Sequence, residues 1–318
     1  MKHRKSIQKH RHLPAEAAVY LTLILVLVLA EICSPGYASP SHLAGMLRMA
    51  SFIGLASIGQ TLAILTGGID LSIANTITFA NVIGAQVMQS SDRNILPAFL
   101  LVFTMGAAVG AVNGFGINFL CIPPFIMTLG TNVIVKGIYM IYTKGAPKGN
   151  ASPLLSAICN QTFLGISGIA WIWAVAAAAI IILLRCTEFG RKIYAVGTNR
   201  EAARFSGTNT RGVLFAVYLI SAIAAAITGF LLVGYTGTSY LSAGATYGDS
   251  TIAAVIMGAT AITGGKGGYI GSIAGAIILT VIQDFLVIVK IPEAGRSMVQ
   301  GFIIILLVLL YNRDKKNR

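Results

Sequence analysis

Long apolar stretches alternate with short polar connections along nearly the whole chain. A helix that crosses a bilayer needs roughly 20 predominantly apolar residues, and stretches of this kind fill most of the 318 positions. The pattern predicts an all-α fold, a polytopic helical membrane protein with about ten transmembrane helices. The predicted spans are Ala17–Ile32, Ala44–Thr66, Ile73–Ser90, Ile95–Leu120, Phe125–Tyr142, Ile166–Arg185, Val213–Tyr235, Thr251–Thr263, Tyr269–Val289 and Ser297–Tyr311.

Composition supports a membrane protein. The chain is 56% hydrophobic and 10% charged, whereas a soluble domain carries about 25% charged residues. The 35 glycines are typical of membrane helices, because small residues let such helices pack closely. The net charge of +13 could indicate a nucleic-acid partner, but the basic residues lie in a few loops and both tails. Anionic headgroups explain that distribution better, so we expect membrane lipids and no nucleic acid as partners.

The distribution of Lys and Arg also predicts an orientation, because cytoplasmic loops carry an excess of both. Most of the 23 basic residues lie in the N-terminal tail, in the segment 185–211 and in the C-terminal tail. We therefore expect both termini in the cytoplasm and an even number of spans. The predicted organisation is a basic N-terminal tail at 1–16, a single transmembrane domain at 17–311 with a cytoplasmic loop at 186–212, and a basic C-terminal tail at 312–318.

A polar break separates the second and third predicted spans. It reads Thr66-Gly67-Gly68-Ile69-Asp70-Leu71-Ser72. Two glycines can end a helix, and Asp70 or Ser72 can cap the next one. A carboxylate at membrane depth normally faces a bundle interior or a water-filled path. The alternative is an ordinary turn at the membrane interface with Asp70 in water.

The loop between the sixth and seventh spans contains a helix signal. Thr198 followed by Glu201 forms a capping-box pattern, and Gly207 is a plausible C-terminal stop, which predicts a helix of about eight residues between them. A helix this short is marginal alone in water, so we expect packing on its own domain or on a partner. The surface around Ala202, Ala203 and Phe205 suits a groove on another protein. A helix lying on the membrane surface is the alternative.

Catalytic signatures are missing from the sequence. No phosphate-binding loop is present: in Gly264-Gly265-Lys266-Gly267-Gly268, a glycine takes the place of the Ser or Thr that would hold magnesium. We interpret that run as a tight turn, with some likeness between Thr263-Gly264-Gly265 and Thr66-Gly67-Gly68. The four cysteines have no metal-type spacing, and no His, Cys and carboxylate cluster suggests a metal site. Chemistry within this chain is not expected.

Four motifs together resemble a known family, the ribose-type ABC sugar transporter permeases. The resemblance covers roughly Ala44 to Gly301, and four motifs in the right order are specific where one would not be. The motifs are Gln60–Ser72, Pro124–Thr131, Glu188–Arg191 with Ala195–Gly207, and Asp249–Ala254 followed by Gly258 and Thr263–Gly265.

Some positions depart from the family pattern. Ile73-Ala74-Asn75 follows Ser72 where the family usually continues Val-Gly, Asp284 stands in a span that is usually uncharged, and Thr208 follows Gly207 where Ile is usual. These differences weaken inference about the particular sugar.

The resemblance implies the membrane subunit of a binding-protein-dependent importer in the bacterial cytoplasmic (inner) membrane. Its partners would be a second permease subunit, in a homodimer or heterodimer, a cytosolic ATP-binding subunit and an extracytoplasmic sugar-binding protein. The chain itself would hold no cofactor, since ATP and Mg²⁺ would bind the ATPase partner. The residues implied in the translocation pathway or its gate are Gln60, Gly67, Gly68, Asp70, Ser72 and Asn75. Those implied in coupling to the ATPase are Gly197, Thr198, Asn199, Glu201, Ala202, Ala203, Arg204, Phe205, Ser206 and Gly207.

Other functions stay open at this point. A permease of the same family could carry a nucleoside, an amino acid or an autoinducer-type sugar. An ion-coupled secondary transporter would also use broken helices, although only Asp70, Asp284, Lys136 and Arg48 could serve it as ionisable relay residues within the spans. An integral membrane enzyme is disfavoured by the missing catalytic cluster.

Overall fold

The computed structural model describes residues 15–316, so residues 1–14 of the predicted N-terminal tail and the last two residues of the C-terminal tail lie outside it. Within that range the chain is a helical bundle with one short hairpin. The helices are α1 (Ala15–Cys33), α2 (Pro40–Leu65), α3 (Ile73–Met88), α4 (Ile95–Asn118), α5 (Pro124–Thr143), α6 (Pro153–Asn160), α7 (Gly168–Cys186), α8 (Glu188–Thr198), α9 (Arg200–Phe205), α10 (Thr210–Thr236), α11 (Ala245–Met257), α12 (Tyr269–Ile288) and α13 (Glu293–Lys316). Strands β1 (Thr162–Phe163) and β2 (Ile166–Ser167) pair antiparallel, and a 3-10 turn covers Asp92–Asn94.

Six helices among the described residues are long and apolar enough to cross a membrane: α2, α4 with its preceding 3-10 turn, α5, α7, α10 and α12. Two shorter apolar helices, Ala17–Cys33 and α3, accompany them. The chain is therefore an all-α, multi-pass membrane protein. A helix also lies at each of the ten predicted spans, although the number of crossings stays a prediction.

Several predicted boundaries were wrong. The eighth span was predicted at Thr251–Thr263, but α11 begins at Ala245 and ends at Met257, because the backbone turns at Gly258 and Ala259 has a positive φ of 57°. The polar sequence before Ser250 concealed the start of this helix. Helices α6 and α8 and the hairpin were not predicted, since each is too short to give a clear apolar period.

The bundle has two faces, which backbone hydrogen bonds across distant segments identify. On one face, Gly265 N donates to Leu65 O (2.9 Å) at the end of α2, close to α8 and α9. On the other, Ala151 N donates to Gly237 O (2.8 Å), just before α6. We call these the α9 face and the α6 face.

Close packing of α4 on α10 forms the centre of the bundle. Gly106, Gly110 and Gly114 repeat every four residues along α4, and a Cβ added at Gly110 would lie 2.6 Å from Leu219 Cα. Helices in membranes approach closely at such small-residue stripes. The glycine content thus provides close contact between the two halves of the chain.

An internal repeat relates α2–α5 to α10–α13, with equivalent positions about 170 residues apart. Thr66, Gly67, Leu71 and Ser72 recur as Thr236, Gly237, Leu241 and Ser242. The backbone repeats as well. The equivalent pairs with positive φ are Gly67 and Gly237 (both 80°), Gln89 and Ala259 (43° and 57°), and Cys121 and Lys290 (55° and 61°).

The second repeat runs opposite to the first. Phe52 of α2 packs against Tyr235 of α10 with ring centroids 5.3 Å apart, whereas Gly68, beyond the other end of α2, lies against the Tyr218 hydroxyl. Helices α2 and α10, which occupy equivalent places in the two repeats, are therefore antiparallel. Segment α6–α9 joins the two repeats.

Candidate translocation break and coupling segment

The break between α2 and α3 depends on two glycines with different requirements. Gly67 has a φ of 80°, a left-handed conformation that glycine adopts without strain. Gly68 has no room for a side chain, because an added Cβ would meet the Tyr218 hydroxyl and lie 3.3 Å from Pro124 Cβ. The first glycine lets the chain turn, and the second lets α5 and α10 approach the turn.

Asp70 is buried within this chain, with 1% of its surface exposed. Its Oδ1 accepts hydrogen bonds from the Ser72 backbone N (2.9 Å) and hydroxyl (2.6 Å), and its Oδ2 accepts one from the Ser221 hydroxyl of α10 (2.6 Å). A buried carboxylate needs such donors to offset its lost hydration. The alternative of a wet interfacial turn is therefore wrong for Asp70.

Ser72 extends this network to α4, because its hydroxyl accepts a hydrogen bond from Asn113 Nδ2 (2.9 Å). Ser72 holds the N-cap position of α3 but its side chain does not cap that helix; Asp70 instead accepts from the Ser72 backbone N. The break, α10 and α4 are thus joined by one network, in which Ser72 and Ser221 bond the carboxylate and Asn113 bonds Ser72.

Several buried polar atoms around the break have no hydrogen-bond partner. They include both amide atoms of Gln60, the Asn113 Oδ1 and the Tyr218 hydroxyl. Gln60 is fully buried on α2, one residue after Gly59, which lies against Ser221. Unsatisfied buried polar groups are rare and costly, so their presence beside the break calls for a functional explanation.

Asn75 belongs to a second contact, between α3 and α5. Its Nδ2 donates to Asn132 O (2.9 Å), and its Oδ1 accepts from the Tyr139 hydroxyl (2.9 Å). Thr128 of α5 accepts from Leu71 N (3.1 Å) in the same groove. These bonds hold α5 against the break.

The predicted coupling loop contains two helices rather than one. Helix α8 buries Ile193 and Val196 against the bundle, and Thr187 caps its start by accepting from Gly190 N (3.1 Å). The predicted capping box at Thr198 was wrong. Thr198 is the last residue of α8, where its hydroxyl donates to Tyr194 O (2.8 Å), so it is not free to cap the next helix.

Asn199 is the N-cap of α9, since its Oδ1 accepts from Ala202 N (2.9 Å). The helix is six residues long rather than about eight. The predicted stop at Gly207 is confirmed: its φ is 82°, and Thr208 N returns to Ala203 O (3.0 Å).

Most of α9 is available to a partner. Ala203 is buried against its own domain, whereas the other predicted coupling residues from Thr198 to Gly207 are exposed. The Phe205 side chain is 89% exposed. Phe205 is the one large apolar side chain of α9, and it lies beside the exposed charged residues Glu201 and Arg204.

Gly197 connects the coupling segment to the break. A Cβ at Gly197 would meet Leu65 O and lie 2.6 Å from Gly265 N, so α8 touches the end of α2 directly. Leu65 stands one residue before Thr66, where the break begins. Movement of α8 would therefore displace the end of α2 and the adjoining segment that carries Asp70.

A cavity of about 630 Å³ opens beside α9 on the same face. Arg200, Arg204 and Arg211 contribute to its wall, together with Pro124 at the start of α5. It is a basic recess beneath the contact between Gly68 and Pro124.

Three site residues escaped prediction: Asn113, Ser221 and Thr128. Asn113 and Ser221 are isolated polar residues in apolar spans, so each could only have been flagged as a polar residue at membrane depth. Thr128 lies in the motif Pro124–Thr131, but nothing in that motif indicated a bond to the break. The described residues contain no group of three or more His, Cys, Asp or Glu that could hold a metal ion. That the chain needs no cofactor of its own stays a prediction.

Comparison with known proteins gives consistent matches over most of the chain. A family model described as a permease component of the branched-chain amino acid transport system matches residues 42–308. The ribose import permease protein RbsC of Escherichia coli (strain K12) is 30% identical over 299 residues, covering 93% of both chains. RbsC of Bacillus subtilis (strain 168) is 30% identical over 293 residues, covering 92% of this chain and 91% of the relative. The galactose/methyl galactoside import permease protein MglC of Escherichia coli (strain K12) is 31% identical over 313 residues, covering 93% of both. No solved structure matches the chain significantly.

Proposed function

Because this chain belongs to the ABC transporter permease family, and within it to the ribose-type monosaccharide permeases, we propose that it moves a monosaccharide across the bacterial inner membrane. The chain is a transport subunit. Its relatives are named for the import of ribose and of galactose or methyl galactoside. A binding protein would deliver the sugar on one face, and an ATPase would drive transport from the other. The chain would act as a dimer with an identical or related permease.

The single observation that supports this proposal most is the contact between α8 and the end of α2. It joins an exposed segment, suited to a partner, to the buried break at Asp70 through Gly197 and Leu65. ATP hydrolysis in a partner bound at α9 would move α8, and α8 would in turn move the break. This is expected for a translocation pathway whose conformational change is driven by another subunit. Gln60, Gly67, Gly68, Asp70, Ser72 and Asn75 would form the pathway or its gate.

The proposed topology has ten crossings with both termini in the cytoplasm. The α9 face would then be cytoplasmic and the α6 face external. The segments Tyr142–Gly165 and Gly234–Ser250, which meet through Ala151 N and Gly237 O, would receive the binding protein.

Reconstitution tests the function. We expect proteoliposomes that hold the chain with its ATPase partner and binding protein to accumulate D-ribose or D-galactose only when ATP is supplied. L-Leucine serves as the comparison solute, because the family model describes amino acid permeases. Sugar accumulation driven by an ion gradient without the ATPase would contradict the importer proposal. ATP-dependent uptake of leucine but not of either sugar would contradict the proposal that the substrate is a monosaccharide.

A further inference from the structure

A second cavity, of about 590 Å³, opens between α2, α11, α12 and α13 at the start of α2. Since α2 ends at the α9 face, this cavity belongs to the α6 face. Its volume is in the range of small-molecule sites, about 300–1,000 Å³. Its polar lining includes His42, Tyr247, Gln283, Asp284, Arg296 and Gln300.

Hydrogen bonds arrange these side chains across the cavity. His42 Nε2 lies 2.9 Å from Asp284 Oδ2, between α2 and α12. Gln283 Nε2 donates to Gln300 Oε1 (3.3 Å), and Gln300 Nε2 donates to the Ser250 hydroxyl (3.1 Å). The amides thus link three helices, and each keeps further donor or acceptor positions for a solute.

Charge in the lining has both signs. Asp284 and Glu293 are accompanied by Arg296 and His42, and the Arg296 Nε is buried without a partner. Tyr37 supports the site from the α1–α2 connection, with its ring 4.7 Å from that of His42. Burial and the Asp284 carboxylate raise the pKa of Tyr37, so its hydroxyl stays protonated and donates to Val281 O (3.0 Å). A lining that offers both donors and acceptors suits a neutral solute with many hydroxyls.

The internal repeat explains why space exists here. Aligning Ile122-Pro123 with Ile291-Pro292 makes Thr128 equivalent to Ser297 and Thr131 equivalent to Gln300. Thr128 bonds to the break and holds α5 against α3, whereas Ser297 lines the open cavity. At this one position the side chain of the first repeat is bonded to the break, whereas its equivalent in the second repeat lines the cavity.

The two cavities also correspond under the repeat. Pro124 and Arg211 line the recess on the α9 face, and their equivalents Glu293 and Ser41 line the cavity on the α6 face. Transporters built from inverted repeats bind substrate between the repeats. A cavity that recurs at equivalent places on opposite faces is a feature of the fold rather than a packing accident.

We propose that the cavity lined by His42, Gln283, Asp284 and Gln300 is a binding site for a neutral polyhydroxylated solute, the first that a sugar meets in this chain. The proposal rests on the proposed function and adds a location to it. Asp284, which departs from the family pattern, would help to set which hydroxyl arrangement is accepted.

Thiol protection measures occupancy of this cavity directly. Ser297→Cys is introduced in the complex with the ATPase partner, after serine has replaced the exposed Cys33, Cys121 and Cys186. We expect millimolar D-ribose or D-galactose to slow modification of the new thiol by a membrane-impermeant reagent, and L-leucine at the same concentration to leave it unchanged. Lys148→Cys, exposed and outside the cavity lining, should react at the same rate with or without sugar.

A second variant tests the side chains. Adding Gln283→Ala to Ser297→Cys should raise the sugar concentration for half-protection roughly tenfold, equivalent to about 1.4 kcal/mol. Met298→Ala, a change on the exposed side of α13, should leave it unchanged. If Gln283→Ala does not insert, Thr280→Val, in the same lining, replaces it.

The outcomes separate this site from the function. ATP-dependent sugar uptake without protection of the Ser297→Cys thiol would overturn the site and leave the function standing. Protection by glycerophosphocholine but not by sugar would make the cavity a lipid headgroup site and also overturn it. Absence of uptake with intact protection would contradict the function alone.

Discussion

Asp70 is held by donors from two residues, one in the break and one in α10, although it lies among apolar helices. Ser72 and Ser221 bond its two oxygens, and Asn113 bonds Ser72 in turn. A hydrogen bond contributes about 0.5–1.5 kcal/mol net, and leaving a buried partner unsatisfied costs about 1–3 kcal/mol. The carboxylate therefore fixes the break against α10 as long as these bonds persist.

Asp70→Asn should impair transport more than it impairs insertion. The amide oxygen can still accept from Ser72, but the NH₂ group can only donate to the Ser221 hydroxyl, so that bond must reverse its direction and the second acceptor oxygen is lost. We expect uptake in reconstituted vesicles to fall roughly tenfold or more, corresponding to at least about 1.4 kcal/mol, with similar amounts in the membrane. Asp92→Asn, an exposed position that can still accept from Leu154 N, is the control. Normal uptake by Asp70→Asn would leave Asp70 as a turn residue.

Sequence alone located the break but not its surroundings. Gly67, Gly68 and Asp70 form a local pattern with a mechanism, so their role in turning the chain was predictable. Asn113 and Ser221 are far from Asp70 in sequence, and their convergence depends on how α4 packs on α10. The burial of Asp70 could not be predicted for the same reason.

At the scale of the helix, α9 illustrates a related limit. Its position and its stop at Gly207 followed from the sequence, whereas its start did not. Thr198 and Asn199 are both good caps, and the choice was made by α8, which takes Thr198 into its last turn. Local capping rules cannot decide between adjacent candidates when a preceding helix is missed.

A charge reversal on α9 tests coupling. Glu201→Lys with Arg204→Glu keeps opposite charges on the helix but inverts the surface offered to a partner. We expect the variant to insert normally while sugar-stimulated ATP hydrolysis and uptake are lost. The same exchange on α8, Glu188→Lys with Lys192→Glu, is the matched control, because these exposed side chains pair with each other at 3.4 Å. Full transport by the α9 variant would remove the coupling role.

The glycine stripe of α4 makes a separate prediction about stability. Gly110→Ala would place a methyl group 2.6 Å from Leu219 Cα and 2.7 Å from Tyr218 O, and overpacking of this kind costs about 1–3 kcal/mol. Gly130→Ala on α5 meets nothing within 4 Å and removes backbone freedom, worth about 0.5–1 kcal/mol in its favour. Thermal unfolding in detergent should show a lower midpoint for the first variant and an unchanged or higher one for the second. Equal midpoints would contradict the close packing of α4 on α10.

At the scale of the whole molecule, each of the two faces has exposed basic residues that can be used to identify it. Lys148 lies in the segment before α6, and Arg200 begins α9, both exposed on opposite faces. The predicted orientation depends on Lys and Arg counts, whereas the structure relates the faces to each other without assigning either to the cytoplasm.

Cysteine labelling in intact cells shows which of the two faces is cytoplasmic. With the exposed native cysteines replaced, Lys148→Cys should react with a membrane-impermeant maleimide, and Arg200→Cys should react only after lysis. The permeant form of the reagent controls for the reactivity of both thiols. The reverse pattern would invert the topology and move the coupling segment outside the cell.

The internal repeat was the largest feature that sequence reading missed. Thr66-Gly67-Gly68 was compared with Thr263-Gly264-Gly265, but its true counterpart starts at Thr236, where Tyr240 replaces Asp70. The match is sparse because the two copies meet different environments. The repeat is therefore visible in the backbone φ angles at positions where the residue types differ.

Helix α7 takes on a particular meaning once the two repeats are counted. Four helices, α2 to α5, bring the chain back to the side from which it started, so a copy appended directly to them would run in the same direction as the original. One additional crossing reverses the copy, and α7 is that crossing. Two such units joined directly would run in the same direction, and the halves can be inverted here because α7, which belongs to neither, lies between them. Deleting α7 would be expected to turn the second half upside down in the bilayer rather than merely shorten the protein.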